Sequence, residues 1–154
     1  MNKYIYCVRS NTIKSLDIID KNLSQANVET MISAFTRLES LSLHYGTLIG
    51  ARTMETLFRE MTSTTSRLRR LSLRNISLSH VEPAVLGAGV RNLQSLEIMI
   101  SDLDPAQLHH IFSTFSSRHN TSLDHLCLSQ NDLSQLSPQL FVQVCKNCKV
   151  QGDS

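Results

Sequence analysis

Tryptophan is absent from this chain of 154 residues, and glycine and proline number only five and three. So little turn chemistry argues against a loop-rich, all-β fold. Four cysteines, Cys7, Cys127, Cys145 and Cys148, are too few and too unevenly placed for a disulfide scaffold. They point to a reducing compartment, so a cytoplasmic setting is expected. A formal net charge of +2 excludes a strongly basic arm, and no nucleic-acid partner is expected. No apolar run approaches the roughly 18 residues of a membrane span. The opening Met1–Arg9 is too short and too polar for a secretory signal. There is also no Gly-rich phosphate loop, nucleophile elbow or pair of acid/base carboxylates, so neither an enzyme nor a cofactor is expected. What remains, 41% hydrophobic and 18% charged residues, is ordinary globular composition with enough chain for one domain and its core.

That composition is arranged as a repeat. The block I13-K-S-L16-D-I18 returns as L38-E-S-L41-S-L43, L68-R-R-L71-S-L73, L93-Q-S-L96-E-I98 and L123-D-H-L126-C-L128. A further leucine closes each copy: Leu23, Leu48, Leu78, Leu103 and Leu133. The central leucines Leu16, Leu41, Leu71, Leu96 and Leu126 are spaced by 25, 30, 25 and 30, so the true unit is a pair of repeats 55 residues long. A shift of 55 superposes Ser24, Ser79 and Ser134, Pro83 on Pro138, and Met31 on Leu86 and Phe141.

Each copy reads as one strand followed by one helix. Alternation at L-x-L makes a short strand with one buried face, so strands are expected near residues 13–18, 38–43, 68–73, 93–98 and 123–128. The segments between carry helical stripes at i, i+3, i+4, i+7: Val28, Met31, Ile32 and Phe35, then Leu108, Ile111, Phe112 and Phe115, with Leu57, Phe58 and Met61 between them. Asn27 is the expected cap of the first helix; Asp104-Pro105 and Ser137-Pro138 read as caps followed by proline, and Glu82-Pro83 as a weaker one. One such unit cannot bury its apolar face alone, so the units are expected to stack as an α/β solenoid, strands concave and helices convex. The turn asparagine of such repeats, eight residues after the first leucine, is present only as Asn131; Lys21, Gly46, Ile76 and Ser101 take its place elsewhere. Either those turns are closed differently or the register slips by one at Asn22 and Asn75.

The 55-residue shift makes residues 3–8 the end of a helix and places a further strand at about Cys148–Gln151. Solenoids need polar terminal caps, and neither end carries an obvious one. We therefore read residues 1–154 as a single domain of about five repeats belonging to a longer array.

The residues S66-R-L-R-R-L-S-L73, L78-S-H-V-E-P83-A-V-L86 and D102-L-D-P-A-Q-L108 resemble the ribonuclease-inhibitor-type leucine-rich repeats, most closely those at the C-terminal end of NACHT-type receptors. The resemblance spans Ile13 to Val144, although steps of 25 and 30 depart from the family's nearly even spacing. It implies a curved α/β leucine-rich-repeat scaffold that recognises a macromolecule. It carries over no binding residues, because scaffold leucines make the match. The function expected is a protein–protein interaction module of a larger sensor or adaptor. The alternatives are an inhibitor or activator of a partner enzyme, ribonuclease-inhibitor-like or GTPase-activator-like, and a structural spacer.

Strand residues flanking the buried leucines would face a partner. They form three rows: Ser15, Ser40, Arg70, Ser95, His125; Asp17, Ser42, Ser72, Glu97, Cys127; and Ile19, His44, Arg74, Met99, Ser129, with Tyr45 at the edge. The candidate partner-binding residues are Arg70, Arg74, His44, Tyr45, Glu97, Met99 and His125. Arg67, Arg69, Arg70 and Arg74 cluster in one repeat, as either a docking patch for an acidic partner or phosphate or a solvated strand edge. Cys127 is expected to be exposed. Cys145-x-x-Cys148 lacks the second pair a zinc site needs; His109, His110, His119 and His125 could suggest a metal site, but the adjacent His109 and His110 do not share a helix face and read as surface histidines. Sequons at Asn22, Asn75 and Asn120 read as accidental in a chain without a signal.

Overall fold

The computed structural model describes residues 13–45, 47–117, 122–147 and 149–151. The helix end expected over residues 3–8, and Cys7, Gly46, His119, Asn120 and Cys148, lie outside them.

Among the described residues, five helices alternate with six strands. The strands are β1 (Ser15–Ile19), β2 (Ser40–His44), β3 (Arg70–Arg74), β4 (Ser95–Met99), β5 (His125–Cys127) and β6 (Lys149–Gln151). The helices are α1 (Val28–Phe35), α2 (Ala51–Glu60), α3 (Pro83–Val90), α4 (Pro105–Ser116) and α5 (Pro138–Asn147). All six strands form one sheet in chain order, every neighbouring pair parallel. Each connection is a helix, as parallel pairing requires, and each helix packs on the next.

The strands begin two residues later than the leucine pattern implied. Leu38 N–H donates to Phe35 O and Leu93 N–H to Val90 O, so the backbone of the leading leucine still closes the preceding helical turn. Its side chain is nonetheless buried, as Leu38, Leu68, Leu93 and Leu123 all show. The ladder starts only afterwards, where Ser40 N–H reaches Lys14 O. The strand leucines then face the helices, and with Met31, Ile32, Phe35, Leu57, Phe58, Leu108, Ile111, Phe112 and Phe115 they make one continuous core.

One closing leucine departs from the pattern: Leu48 is 57% exposed. Thr47 is buried instead and its hydroxyl donates to Ile18 O at 3.2 Å. Leu48 follows in extended backbone, bridged to Asn22, so period-two alternation turns it outward. Thr47 thereby does for β1 what Asn131 does for β4. The Asn131 amide donates to Ile98 O at 2.7 Å and Leu128 O at 3.1 Å, and its Oδ1 accepts from the N–H groups of Ser101 and Leu103. Asn22 closes only a local turn, accepting from Ser24 N–H. The turns are thus closed differently from copy to copy. Asp20, Asn75, Ile100 and Gln130 all have positive φ, 48–60° counting Asp102, where the chain leaves the sheet.

Side-chain caps fix the helix starts, and Gln107 and two glycines fit helices to their neighbours. Asn27 caps α1 through Thr30 N–H. Asp104 and Gln107 form a reciprocal capping box on α4. Gln107 is wholly buried, and its amide also donates to Leu78 O and Val81 O of the preceding repeat, both at 2.8 Å. Ser137 differs from the expected cap: its hydroxyl turns to Gln139 Oε1. Helix α3 holds Gly87 and Gly89 against α4 and α2; a Cβ on Gly89 would lie 2.6 Å from Phe58 O. Close approach explains why two of the five glycines sit inside a helix, where glycine is otherwise unfavourable.

Candidate functional site: the open face of the sheet

Helices cover one face of the sheet, and the other presents the side chains that alternate with the buried leucines. The strand register sets Ser15, Ser40, Arg70, Ser95 and His125 side by side, and likewise Asp17, Ser42, Ser72, Glu97 and Cys127. In the third row Ile19 pairs with His44 and Arg74 with Met99. Parallel pairing without a bulge keeps equivalent repeat positions adjacent, so the rows follow from the leucine pattern once the sheet forms.

Glu97 is the centre of the charge arrangement. It accepts a hydrogen bond from Ser72 Oγ at 2.9 Å, and its oxygens lie 3.7 Å from Arg74 Nη2 and 3.4 Å from His125 Nε2. Asp17 Oδ1 lies 3.8 Å from His44 Nε2, which is buried without a hydrogen-bond partner, as is Arg74 Nε. Three of the expected residues, Arg74, Glu97 and His125, are therefore brought together across β3, β4 and β5. His44 belongs to a separate pair with Asp17. Met99 stands half-buried in register with Arg74, and Tyr45 is exposed near Ile19 at the ends of β2 and β1. Ser72 and Asp17 were in the rows but not among the candidates; their part depends on which charge sits on the next strand.

Arg70 stands apart from these pairs. It is exposed, and among the described residues no carboxylate lies within ion-pair distance of it. Arg69 points elsewhere, donating to Ser66 O and Leu68 O. No protein-family model, curated protein or solved structure matches the chain.

Cys127 corrects the expectation of an exposed thiol, being only 6% exposed. Its short side chain sits between β4 and β6, in register with Glu97, and its sulfur lies 3.3 Å from Ser129 Oγ. A small side chain in a row with longer ones sinks below them even on an open face. His109 and His110 are exposed on α4, and among the described residues no group of His, Cys, Asp and Glu could hold a metal ion. No helix among them is long and apolar enough to cross a membrane. On the helix side, a groove of about 380 Å³ between α1 and α2 is lined by Glu29, Ile32, Ser33, Arg37, Thr56 and Glu60 among others.

Proposed function

We propose that this chain is a ribonuclease-inhibitor-like leucine-rich-repeat segment, a curved solenoid that binds a protein partner on its strand face and carries out no catalysis. The observation that carries this reading is the uncovered sheet face, on which five strands align polar and charged side chains in register. A face left open by the chain's own helices, with its charges already arranged in pairs, suits recognition. Catalysis would call for a nucleophile or acid/base pair converging on a cavity.

Size narrows the partner. Six strands roughly 4.8 Å apart, four about 16 Å long and two about 10 Å, present about 400 Å² in projection. A standard interface takes about 800 Å² from each side. The face therefore suits an extended segment of a partner better than a whole folded surface.

Selection from a phage-displayed library of random 16-residue peptides tests this. Binders should lose at least tenfold in affinity for Ser42→Trp, which fills the middle of the open face. They should be indifferent to Ala106→Trp on exposed α4. If no peptide is enriched, or if Ala106→Trp is the damaging change, the reading fails and a structural spacer becomes the better description.

A further inference from the structure

We infer that the open face takes an acidic, extended peptide, and that Arg70, flanked by Ser40 and Ser95, holds one of its side-chain carboxylates. This rests on the protein-binding reading above and names the chemistry of the partner.

The charges of the face decide it. Asp17 lies beside His44, and Glu97 takes Arg74, His125 and the Ser72 hydroxyl. Of the two carboxylates in the three rows, Glu97 is thus matched by Arg74, while Asp17 lies beside a histidine that is charged only when protonated. Of the two arginines in the three rows, Arg70 is the one with no carboxylate within ion-pair distance among the described residues. Its row runs serine, serine, arginine, serine, histidine and, on β6, Lys149, and contains no carboxylate. Neighbouring strands lie roughly 4.8 Å apart, so Ser40 and Ser95 stand on either side of the base of the Arg70 side chain. Neither hydroxyl has a hydrogen-bond partner among the described residues, although Ser72 one row up does. An exposed guanidinium without a carboxylate, in register with two serines whose hydroxyls are unused, is a set of donors that lacks an acceptor.

The acceptor is a carboxylate. The guanidinium fork matches two coplanar oxygens with two parallel hydrogen bonds. A phosphate monoester carries about −1.5 to −2 charge and needs a second cation. The other arginine of the three rows, Arg74, is already turned to Glu97. A nucleic-acid backbone needs a run of cations for its phosphates, and the rows do not provide one. A basic segment would find Glu97 taken by Arg74 and would be repelled by Arg70, with Asp17 two strands away.

The test uses the whole chain and fluorescein-labelled dodecapeptides read by anisotropy at low and moderate salt. The peptides are alternating Glu-Ser, alternating Gln-Ser, and the Gln-phosphoserine form. The Glu-Ser peptide should bind at least tenfold tighter than the Gln-Ser peptide. Arg70→Gln should erase about tenfold of that preference, the size expected for a lost charge-assisted pair. Ser40→Ala combined with Ser95→Ala should reduce it several-fold. Arg67→Gln removes the same charge from an exposed position outside the rows and should leave it intact. Thermal melts by circular dichroism confirm that each variant folds. Absence of a glutamate preference overturns the assignment, as does equal loss in Arg67→Gln and Arg70→Gln. Tighter, Arg70-dependent binding of the phosphoserine peptide overturns the carboxylate in favour of a phosphate. If library-selected peptides remain sensitive to Ser42→Trp while the glutamate preference is missing, protein binding stands and only the acidic partner falls.

Discussion

Replacing Gln107 tests how the repeats are held in register. This side chain is wholly buried, and its amide links α4 to the loop before α3 through Leu78 O and Val81 O, while its Oε1 accepts from Asp104 N–H at 3.1 Å. Gln107→Leu keeps the volume and removes all three bonds. A neutral hydrogen bond contributes about 0.5–1.5 kcal/mol net, and an orphaned buried acceptor costs about 1–3 kcal/mol. Leu78 O keeps a partner, because Val81 N–H also donates to it. Val81 O loses its side-chain donor. Against this stands the apolar gain of leucine, about 1–2 kcal/mol. The net expectation is a loss of about 2–4 kcal/mol. Gln107→Glu is more severe at neutral pH, because a carboxylate would face two carbonyl oxygens. Its proton is retained in the folded state, so its folded pKa is raised. The variant's stability therefore falls as pH rises from the ordinary glutamate value, about 4.3, through that raised folded value, and its deficit against the parent narrows in acid. The chain lacks tryptophan, so urea unfolding followed by far-UV circular dichroism is the assay. A Gln107→Leu midpoint within about 0.5 kcal/mol of the parent, at equal m-value, would refute the claim that this amide ties the repeats together.

Gly89→Ala should lower stability by about 2–3 kcal/mol despite alanine's better helix propensity, because its Cβ would meet the Phe58 carbonyl at 2.6 Å, backbone that cannot swing away. A thermal midpoint at or above the parent's would contradict the close packing of α2 and α3. Asn131→Ala should cost about 2 kcal/mol, since two amide donors and the acceptor for two loop N–H groups go together; loss of hydrogen-exchange protection at Leu103 N–H is the local readout. Gln130 is exposed with φ of 60°, so Gln130→Gly should gain about 0.5 kcal/mol and Gln130→Val should lose about 1 kcal/mol. The reverse order in urea midpoints would show that the left-handed turn is not the constraint.

The open face was largely legible before any coordinates. Rows of residues such as Ser40, Arg70 and Ser95 follow from two local regularities, the alternation of a strand and the constancy of the repeat, and parallel register preserves both. What lay beyond reach was the pairing within the face. Whether Glu97 meets Arg74 and His125 depends on rotamers and on the strand next door, which is 23 to 28 residues away in sequence. Cys127 shows the same limit: alternation gives its direction, and its neighbours decide its burial.

The amino-acid order alone therefore determined the strand–helix alternation, the paired period of 55, the helical stripes and the caps at Asn27 and Asp104. These depend on contacts within one repeat, whose spacing is printed in the chain. Tertiary structure decided how each turn is closed, by Asn131 in one copy and by Thr47 in another, and why Leu48 faces outward. It also decided that Gln107 is a cross-repeat clamp and that Arg70 has no counter-ion among the described residues while Arg74 meets Glu97. The physical reason is the same throughout. Apolar burial is non-directional and repeats with the leucines, whereas hydrogen bonds and ion pairs need a partner at a set distance and angle, and that partner belongs to the next repeat.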